Sequence, residues 1–198
     1  MSLVEVLGFV TGAVCVWLAV RQNIWTYPIG IANNVVFFVL FWGSGLYGDA
    51  WLQVFYVGVA LHGWWSWLRG GPQRTVLRVR HTPRWGWLLG AAGVAIGTWA
   101  AYLLLTRHTD STVPLPDGLT TALSVVAQLM MNRKWLGSWL VWMVADVLYI
   151  WLYLVKGLAL TAALYAGFLA LCVVGWRQWR TALVEQPAQP RVPAEAGR

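Results

Sequence analysis

Apolar residues fill most of the chain in seven long runs that are separated by short polar breaks. The runs cover approximately residues 3–20, 27–43, 50–68, 85–105, 116–131, 136–155 and 157–176. A helix needs about 20 apolar residues to cross a bilayer. The pattern therefore predicts an all-α integral membrane protein with seven transmembrane helices.

The composition supports this prediction, and a length of 198 residues favours one domain without a separate soluble part. Charged residues make up 11% of the chain and hydrophobic residues 59%, whereas about a quarter of a soluble domain is charged. The fifth run contains Thr120, Thr121, Ser124 and Gln128, so we expect neighbouring helices to shield it from lipid. Three prolines follow the last run, and residues 181–198 are predicted to form a disordered cytoplasmic tail.

Basic residues are distributed unevenly between the two sides of the predicted bundle. Of the 14 Lys and Arg residues, only Arg107 and Lys156 fall on the side opposite the C-terminus. Cytoplasmic loops are enriched in Lys and Arg, so the N-terminus is predicted outside and the C-terminus in the cytoplasm. The net charge of +7 is explained by these loops, and no nucleic-acid binding is predicted.

The two ends of the chain resemble each other when one is shifted by 112 positions. The matched pairs are Arg21 with Arg133, Tyr27 with Trp139, Asn34 with Asp146, Gly45 with Gly157, Gly63 with Gly175, and Trp67 with Trp179. Residues 1–180 are therefore predicted to be one domain with a 3+1+3 parallel repeat. Repeat one covers about 3–68, the linker helix about 85–105 and repeat two about 116–179. Parallel repeats are a transporter architecture; the alternative is a chance repeat in a structural bundle.

An acidic residue lies in the middle of the sixth run. Trp139, Trp142, Asp146 and Tyr149 are three, four and three positions apart, so they share one face of a helix. A carboxylate in mid-membrane costs about 2.5–3.5 kcal/mol on insertion scales. Asp146 is then either a protonated structural residue or a counter-ion for a cation, and three aromatic neighbours favour the second explanation. Trp179, at the end of the last run, is interpreted as an interfacial belt residue.

Four amides complete the candidate site, and no catalytic or metal-binding pattern accompanies them. Asn33 and Asn34 lie in the second run, Gln53 in the third and Gln128 in the fifth. Buried amides are expected to face the interior, where they bond across helices or bind a substrate. The histidines and cysteines lack metal-ligand spacing, and no phosphate-binding loop is present. We therefore predict a protein that is not an enzyme and needs no cofactor.

Several segments together resemble the PnuC-type vitamin transporters over nearly the whole chain. They are WTYPIGIANNVVFF at 25–38, GLY at 45–47, LQVFY at 52–56, GWWSW at 63–67, LSVVA at 123–127, RKW at 133–135, WLVW at 139–142, DVLYI at 146–150 and GWRQW at 175–179.

The resemblance implies a fold related to the SWEET sugar transporters and uptake of nicotinamide riboside across a bacterial inner membrane. It further implies facilitated diffusion, trapping of the vitamin by a cytoplasmic kinase, and assembly as a homotrimer. Relatives carry thiamine or riboflavin. The Trp-x-x-Trp-x-x-x-Asn signature of the nicotinamide riboside carriers falls on Trp139, Trp142 and position 146, where this chain has Asp146 instead.

We call Trp139, Trp142, Asp146 and Tyr149 the stripe. A specific hypothesis for substrate binding follows from the stripe and the four amides. Asp146 is expected to offset the charge of a cationic ring while Trp139 and Trp142 line the pocket. Asn34, Gln53 and Gln128 are expected to bond ribose hydroxyls or an amide. Two alternatives remain open: thiamine uptake by the same fold, and a membrane scaffold subunit that binds no vitamin.

Overall fold

The computed structural model describes residues 3–43, 45, 47–108 and 113–185. These residues form seven α-helices: α1 (Leu3–Val20), α2 (Thr26–Gly43), α3 (Tyr47–Arg69), α4 (Arg84–His108), α5 (Pro114–Asn132), α6 (Ser138–Val155) and α7 (Ala159–Glu185). A short 3-10 helix, Pro72–Arg74, lies between α3 and α4. The all-α prediction is confirmed, and four helices (α2, α4, α6 and α7) are long and apolar enough to cross a membrane on their own.

The last helix differs from its prediction at its C-terminal end. α7 continues to Glu185, so the predicted disordered tail is wrong for residues 181–185. The last turns of α7 are rich in polar residues but contain no Pro or Gly, so nothing local ends the helix where the apolar run stops. Residues 186–198 lie outside the described residues.

Six of the helices pack in a ring, and the remaining helix, α4, lies outside it. α1 packs against α2 and α7, α2 against α3, α3 against α5, α5 against α6, and α6 against α7. α4 makes its main contact with α5 alone. The six helices of the ring thus surround a central space, and α4 contributes to the bundle only from its periphery.

Large apolar side chains cover the outer surface of the bundle. Leu88 and Ile96 on α4 are 72% and 70% exposed, and Val39 on α2 is 64% exposed. Exposed apolar surface of this extent is unfavourable in water but suits contact with lipid tails. The helices satisfy their backbone hydrogen bonds internally, as a bilayer requires.

The turns that end the helices occur in pairs with the same sequence spacing. Gly45 (φ +75°) follows α2, and Gly157 (φ +73°) follows α6. Gln22 (φ +54°) follows α1, and Lys134 (φ +50°) follows α5. Members of each pair are separated by 112 positions. A left-handed residue is a common helix C-cap, but it strains side chains other than glycine, so Gln22 and Lys134 must be held in place by other contacts.

The buried core lies at the arginine-rich end of the ring. Trp67 of α3, Trp139 of α6 and Trp179 of α7 are all at most 1% exposed. The prediction that Trp179 is an interfacial belt residue is therefore wrong. Because α7 extends beyond residue 179, this tryptophan lies within the bundle and not at the end of the helix.

Candidate functional site

A central cavity of about 520 Å³ lies inside the ring. All six ring helices line it and α4 does not, as shown by Gly12 (α1), Asn34 (α2), Tyr56 (α3), Ser124 (α5), Trp142 (α6) and Cys172 (α7). This volume is within the range of small-molecule sites, about 300–1,000 Å³. The lining is mostly apolar and aromatic with a few polar groups, which is the usual composition of such sites.

The predicted stripe of α6 faces this cavity. Trp139, Trp142, Asp146 and Tyr149 all line it. Asp146 is only 4% exposed, and Oδ2 accepts a hydrogen bond from Sγ of Cys172 at 3.4 Å. Among the described residues Asp146 forms no ion pair. The carboxyl group thus lines a cavity without a cationic partner from the described part of the chain.

The two tryptophans of the stripe have different environments. Trp139 is 1% exposed and packs edge-on against Trp179, with ring centroids 5.4 Å apart. Its indole N–H is buried and has no hydrogen-bond acceptor within the described part of the chain. Trp142 is half-buried. Trp139 therefore belongs to both the core and the cavity, and it retains an unused donor, which a buried tryptophan normally avoids.

Three of the four predicted amides line the cavity. Asn33 Oδ1 accepts a hydrogen bond from the Thr11 hydroxyl at 2.9 Å, Asn34 also lines the cavity, and Gln128 Nε2 donates to Asn132 Oδ1 at 3.0 Å. Gln53 does not line the cavity. The lining face of α3 starts one turn later, at Tyr56, so the predicted contact of Gln53 with a substrate has no support in the structure.

Sequence analysis missed the contribution of α7. Tyr165, Phe168 and Cys172 line the cavity, and the Tyr165 ring lies 4.6 Å from that of Tyr149. Their spacing of three and four places them on one helix face, which was a usable signal. It was hidden because aromatic residues are common throughout this chain. Tyr27 and Tyr56 were missed for the same reason, and Ser124 was predicted to be shielded from lipid but not to line a site.

Two reciprocal hydrogen bonds close the bundle below the cavity, at its arginine-rich end. Trp67 Nε1 donates to the Met131 carbonyl at 3.0 Å, and Trp179 Nε1 donates to the Ala19 carbonyl at 3.1 Å. The Trp67 and Trp179 rings lie 5.9 Å apart. One indole thus ties α3 to α5, and the other ties α7 to α1. We call these four residues the inner closure.

Lys134 is buried beside the inner closure. Its Nζ lies 4.3 Å from the centre of the Trp67 ring and donates to Gln22 Oε1 at 3.2 Å. These contacts explain why both Lys134 and Gln22 keep a strained backbone. Burial lowers the pKa of Lys134 from 10.5 to about 8, because the charged amine loses solvation that its neighbours only partly replace.

Lys134 should make stability depend on pH. In the folded chain it loses its proton near pH 8 and in the unfolded chain near 10.5, so the unfolded state binds more protons between these values. Stability relative to Lys134→Met should therefore rise through this window, by at most about 3 kcal/mol at roughly 1.4 kcal/mol per pKa unit. Melting temperatures of both proteins at pH 7 and pH 9.5 measure the change. If the difference in melting temperature between the two proteins is the same at both pH values, Lys134 is not buried as described.

Comparisons with known proteins agree on one family. The nicotinamide mononucleotide transporter family matches residues 2–181. The nicotinamide riboside transporter PnuC of Escherichia coli strain K12 is 26% identical over 205 residues, covering 90% of this chain and 85% of that protein. The riboflavin/roseoflavin transporter RibM of Streptomyces davaonensis is 29% identical over 180 residues, covering 88% of this chain and 83% of RibM.

A solved structure shows the same fold. The crystal structure of the vitamin B3 transporter PnuC superimposes with a TM-score of 0.66 at 26% identity, covering 91% of this chain and 81% of that one. These relatives are transporters and not enzymes. The buried cavity within a helical membrane bundle agrees with such a role. The chain is a member of the nicotinamide mononucleotide transporter family, a family of membrane vitamin transporters.

Proposed function

We propose that this protein carries nicotinamide riboside across the membrane by facilitated diffusion. The observation that carries the proposal is Asp146, which lines the central cavity without an ion-pair partner among the described residues. A carboxylate inside a membrane is stabilised by a cation, and the pyridinium ring of nicotinamide riboside has a fixed positive charge. Bound substrate would supply the cationic partner that the described residues do not.

Aromatic and polar groups around Asp146 suit the two ends of this substrate. Trp142 and Tyr149 give flat surfaces for the cationic ring through stacking and cation–π attraction. The unused Trp139 indole N–H is available as a donor to a carbonyl or hydroxyl oxygen. Asn34 and Gln128 can bond the ribose hydroxyls. Binding would then be selective for a small cationic nucleoside.

Riboflavin is the main competing substrate because RibM is among the similar relatives. Riboflavin is neutral, so it would gain less from Asp146. Thiamine is the other alternative, since its thiazolium ring also has a fixed charge but it carries no ribose. The three vitamins therefore differ in the features that the cavity recognises: charge, ring size and hydroxyl groups.

The packing of the helices supports a 3+1+3 parallel repeat of the SWEET type. α2 and α6 begin and end at positions with the same 112-residue spacing, and the paired turns and the reciprocal bonds of the inner closure have that spacing as well. In this account α4 links two triplets, whose relative movement opens the cavity to one side at a time.

We propose that the arginine-rich side of the bundle is cytoplasmic, with the N-terminus outside, in a bacterial inner membrane. A cytoplasmic kinase would then trap the vitamin as its phosphate and maintain the gradient. The exposed apolar face of α4, including Leu88 and Ile96, is available for contacts in a homotrimer.

Calorimetry with purified protein tests the substrate assignment. Nicotinamide riboside, thiamine and riboflavin are titrated into the wild type and into Trp142→Ala. We expect nicotinamide riboside to bind most tightly and Trp142→Ala to weaken its binding roughly tenfold, as expected for the loss of a stacking and cation–π partner worth about 1–2 kcal/mol. Gln53→Ala, outside the cavity, should bind as the wild type does. If riboflavin binds most tightly, riboflavin is the substrate. If no vitamin binds, the protein is better explained as a membrane scaffold subunit.

A further inference from the structure

A second cavity, of about 410 Å³, opens at the arginine-rich end of the bundle. Its wall contains two guanidinium groups and two imidazoles, from Arg80, Arg133, His62 and His81. Within the described part of the chain no Asp or Glu lines it. The loops of this side need basic residues for orientation, but orientation does not require them to converge on one cavity.

The backbone holds the two arginines together against their repulsion. Arg80 N–H donates to the Lys134 carbonyl and the Leu136 N–H donates to the Arg80 carbonyl, both at 3.0 Å. Arg80 Nε also donates to the Arg133 carbonyl at 3.2 Å. Partial burial and the charge of Arg133 lower the pKa of Arg80. Two like charges fixed at one site are stabilised by an anion between them.

The donors that remain suit an anion with several oxygen atoms. The terminal nitrogens of Arg80 have no hydrogen-bond partner among the described residues. Arg133 lies over the Trp135 ring, 5.2 Å from its centre, and makes no carboxylate contact there. Planar guanidinium groups bind phosphate by paired hydrogen bonds, so two of them can engage a doubly charged phosphate.

His62 adds a third donor, and partly buried hydrogen bonds fix its ring. Asn132 Oδ1 accepts from Gln128 Nε2, so its Nδ2 must be the donor that lies 3.4 Å from His62 Nδ1. His62 Nδ1 is then the acceptor, and the proton of the neutral ring is on Nε2. His62 therefore lines the cavity with an N–H donor even without a positive charge.

The cavity is larger than a phosphate ion needs, and one wall is aromatic. Trp85 is 50% exposed and lies edge-on to Trp135, with centroids 5.1 Å apart. Arg133 lies 5.9 Å from the centre of the Trp85 ring, and the half of this indole that stays exposed is a stacking surface for a flat ring. We propose that this cavity binds a phosphate monoester that carries a flat ring, with Arg80, Arg133 and His62 on the phosphate and Trp85 on the ring.

Adenosine 5′-monophosphate is a suitable probe, titrated calorimetrically into the full chain in nanodiscs of neutral lipid. We expect it to bind, adenosine not to bind, and inorganic phosphate to bind at least tenfold more weakly. Arg80→Gln should weaken the binding at least tenfold, whereas Arg84→Gln, which removes a nearby charge outside the cavity, should not. Unchanged melting temperatures of both variants exclude misfolding.

Three results would overturn the proposal: no binding of the nucleotide, equal losses in Arg80→Gln and Arg84→Gln, or equal affinity for the nucleotide and inorganic phosphate. Nanodiscs that contain phosphatidic acid identify the source of the phosphate. Competition between this lipid and the nucleotide that depends on Arg80 would be a fourth such result, because phosphatidic acid has no flat ring and would assign the phosphate site to a lipid headgroup. A lack of competition, with binding intact, would support the site and assign it to a soluble metabolite. None of these results depends on which vitamin is transported.

Discussion

Replacing Asp146 by leucine should reduce uptake of nicotinamide riboside into proteoliposomes to the level of empty vesicles. The variant removes the carboxylate that lines the cavity and places an apolar group beside the cationic ring. A pyridinium that leaves water then meets neither a counter-charge nor a polar group at this position, which costs several kcal/mol in a site of low dielectric constant. The protein itself should remain folded, because leucine is well tolerated within a membrane helix.

Asparagine at the same position separates charge from hydrogen bonding. Asp146→Asn keeps the shape and the hydrogen-bonding capacity of the side chain, and it restores the residue that the nicotinamide riboside signature has at this position. We expect uptake to continue with an affinity lowered by roughly tenfold, about 1.4 kcal/mol. Unchanged uptake by Asp146→Leu, with protein of normal melting temperature, would eliminate the counter-ion role.

Alanine at Gly63 or Gly175 should strongly destabilise the bundle. A Cβ at Gly175 would lie 2.6 Å from the Trp139 ring, and one at Gly63 would collide with Asn132 and Tyr27. The side chains they meet are fully or almost fully buried, so they cannot move aside without disturbing the core. We expect losses of about 1–3 kcal/mol each, typical of overpacking, and melting temperatures lower by several degrees.

Two glycines on the same helices are matched controls. A Cβ at Gly58 on α3 or at Gly167 on α7 would meet no heavy atom within 4 Å. Gly58→Ala and Gly167→Ala should leave the melting temperature unchanged or raise it slightly, since alanine favours the helix by about 1 kcal/mol. If all four variants have the same melting temperature, α3 and α7 do not approach the core residues as closely as described.

Hydrophobic patterning was sufficient to predict the helices because each one coincides with a long apolar run that is bounded by polar residues. It also predicted the face of α6, since Asp146 marks the inward direction and helical spacing identifies its neighbours. Periodicity gave no such marker for α7, where Tyr165 and Phe168 are indistinguishable by type from aromatics that face lipid. Which end of a helix reaches the cavity depends on tertiary packing, so the sequence pattern could not show that Gln53 lies outside the cavity lining.

The end of α7 shows a second limit of the sequence pattern. Hydropathy indicates where lipid contact stops, but a helix can continue into the polar region beyond it. Trp179 was placed at the membrane interface on that basis, although it is fully buried. Its match to Trp67 at a spacing of 112 positions was the better signal, because both indoles donate to a backbone carbonyl of a neighbouring helix.

The most direct test of the central claim compares nicotinamide riboside with its dihydro form, whose ring has nearly the same shape but no charge. Both are titrated calorimetrically into the wild type and into Asp146→Asn. The account predicts that the wild type binds the cation at least tenfold more tightly than the neutral form and that Asp146→Asn loses this preference. Equal binding of the two forms by the wild type would contradict the role of Asp146 as the counter-ion of the substrate.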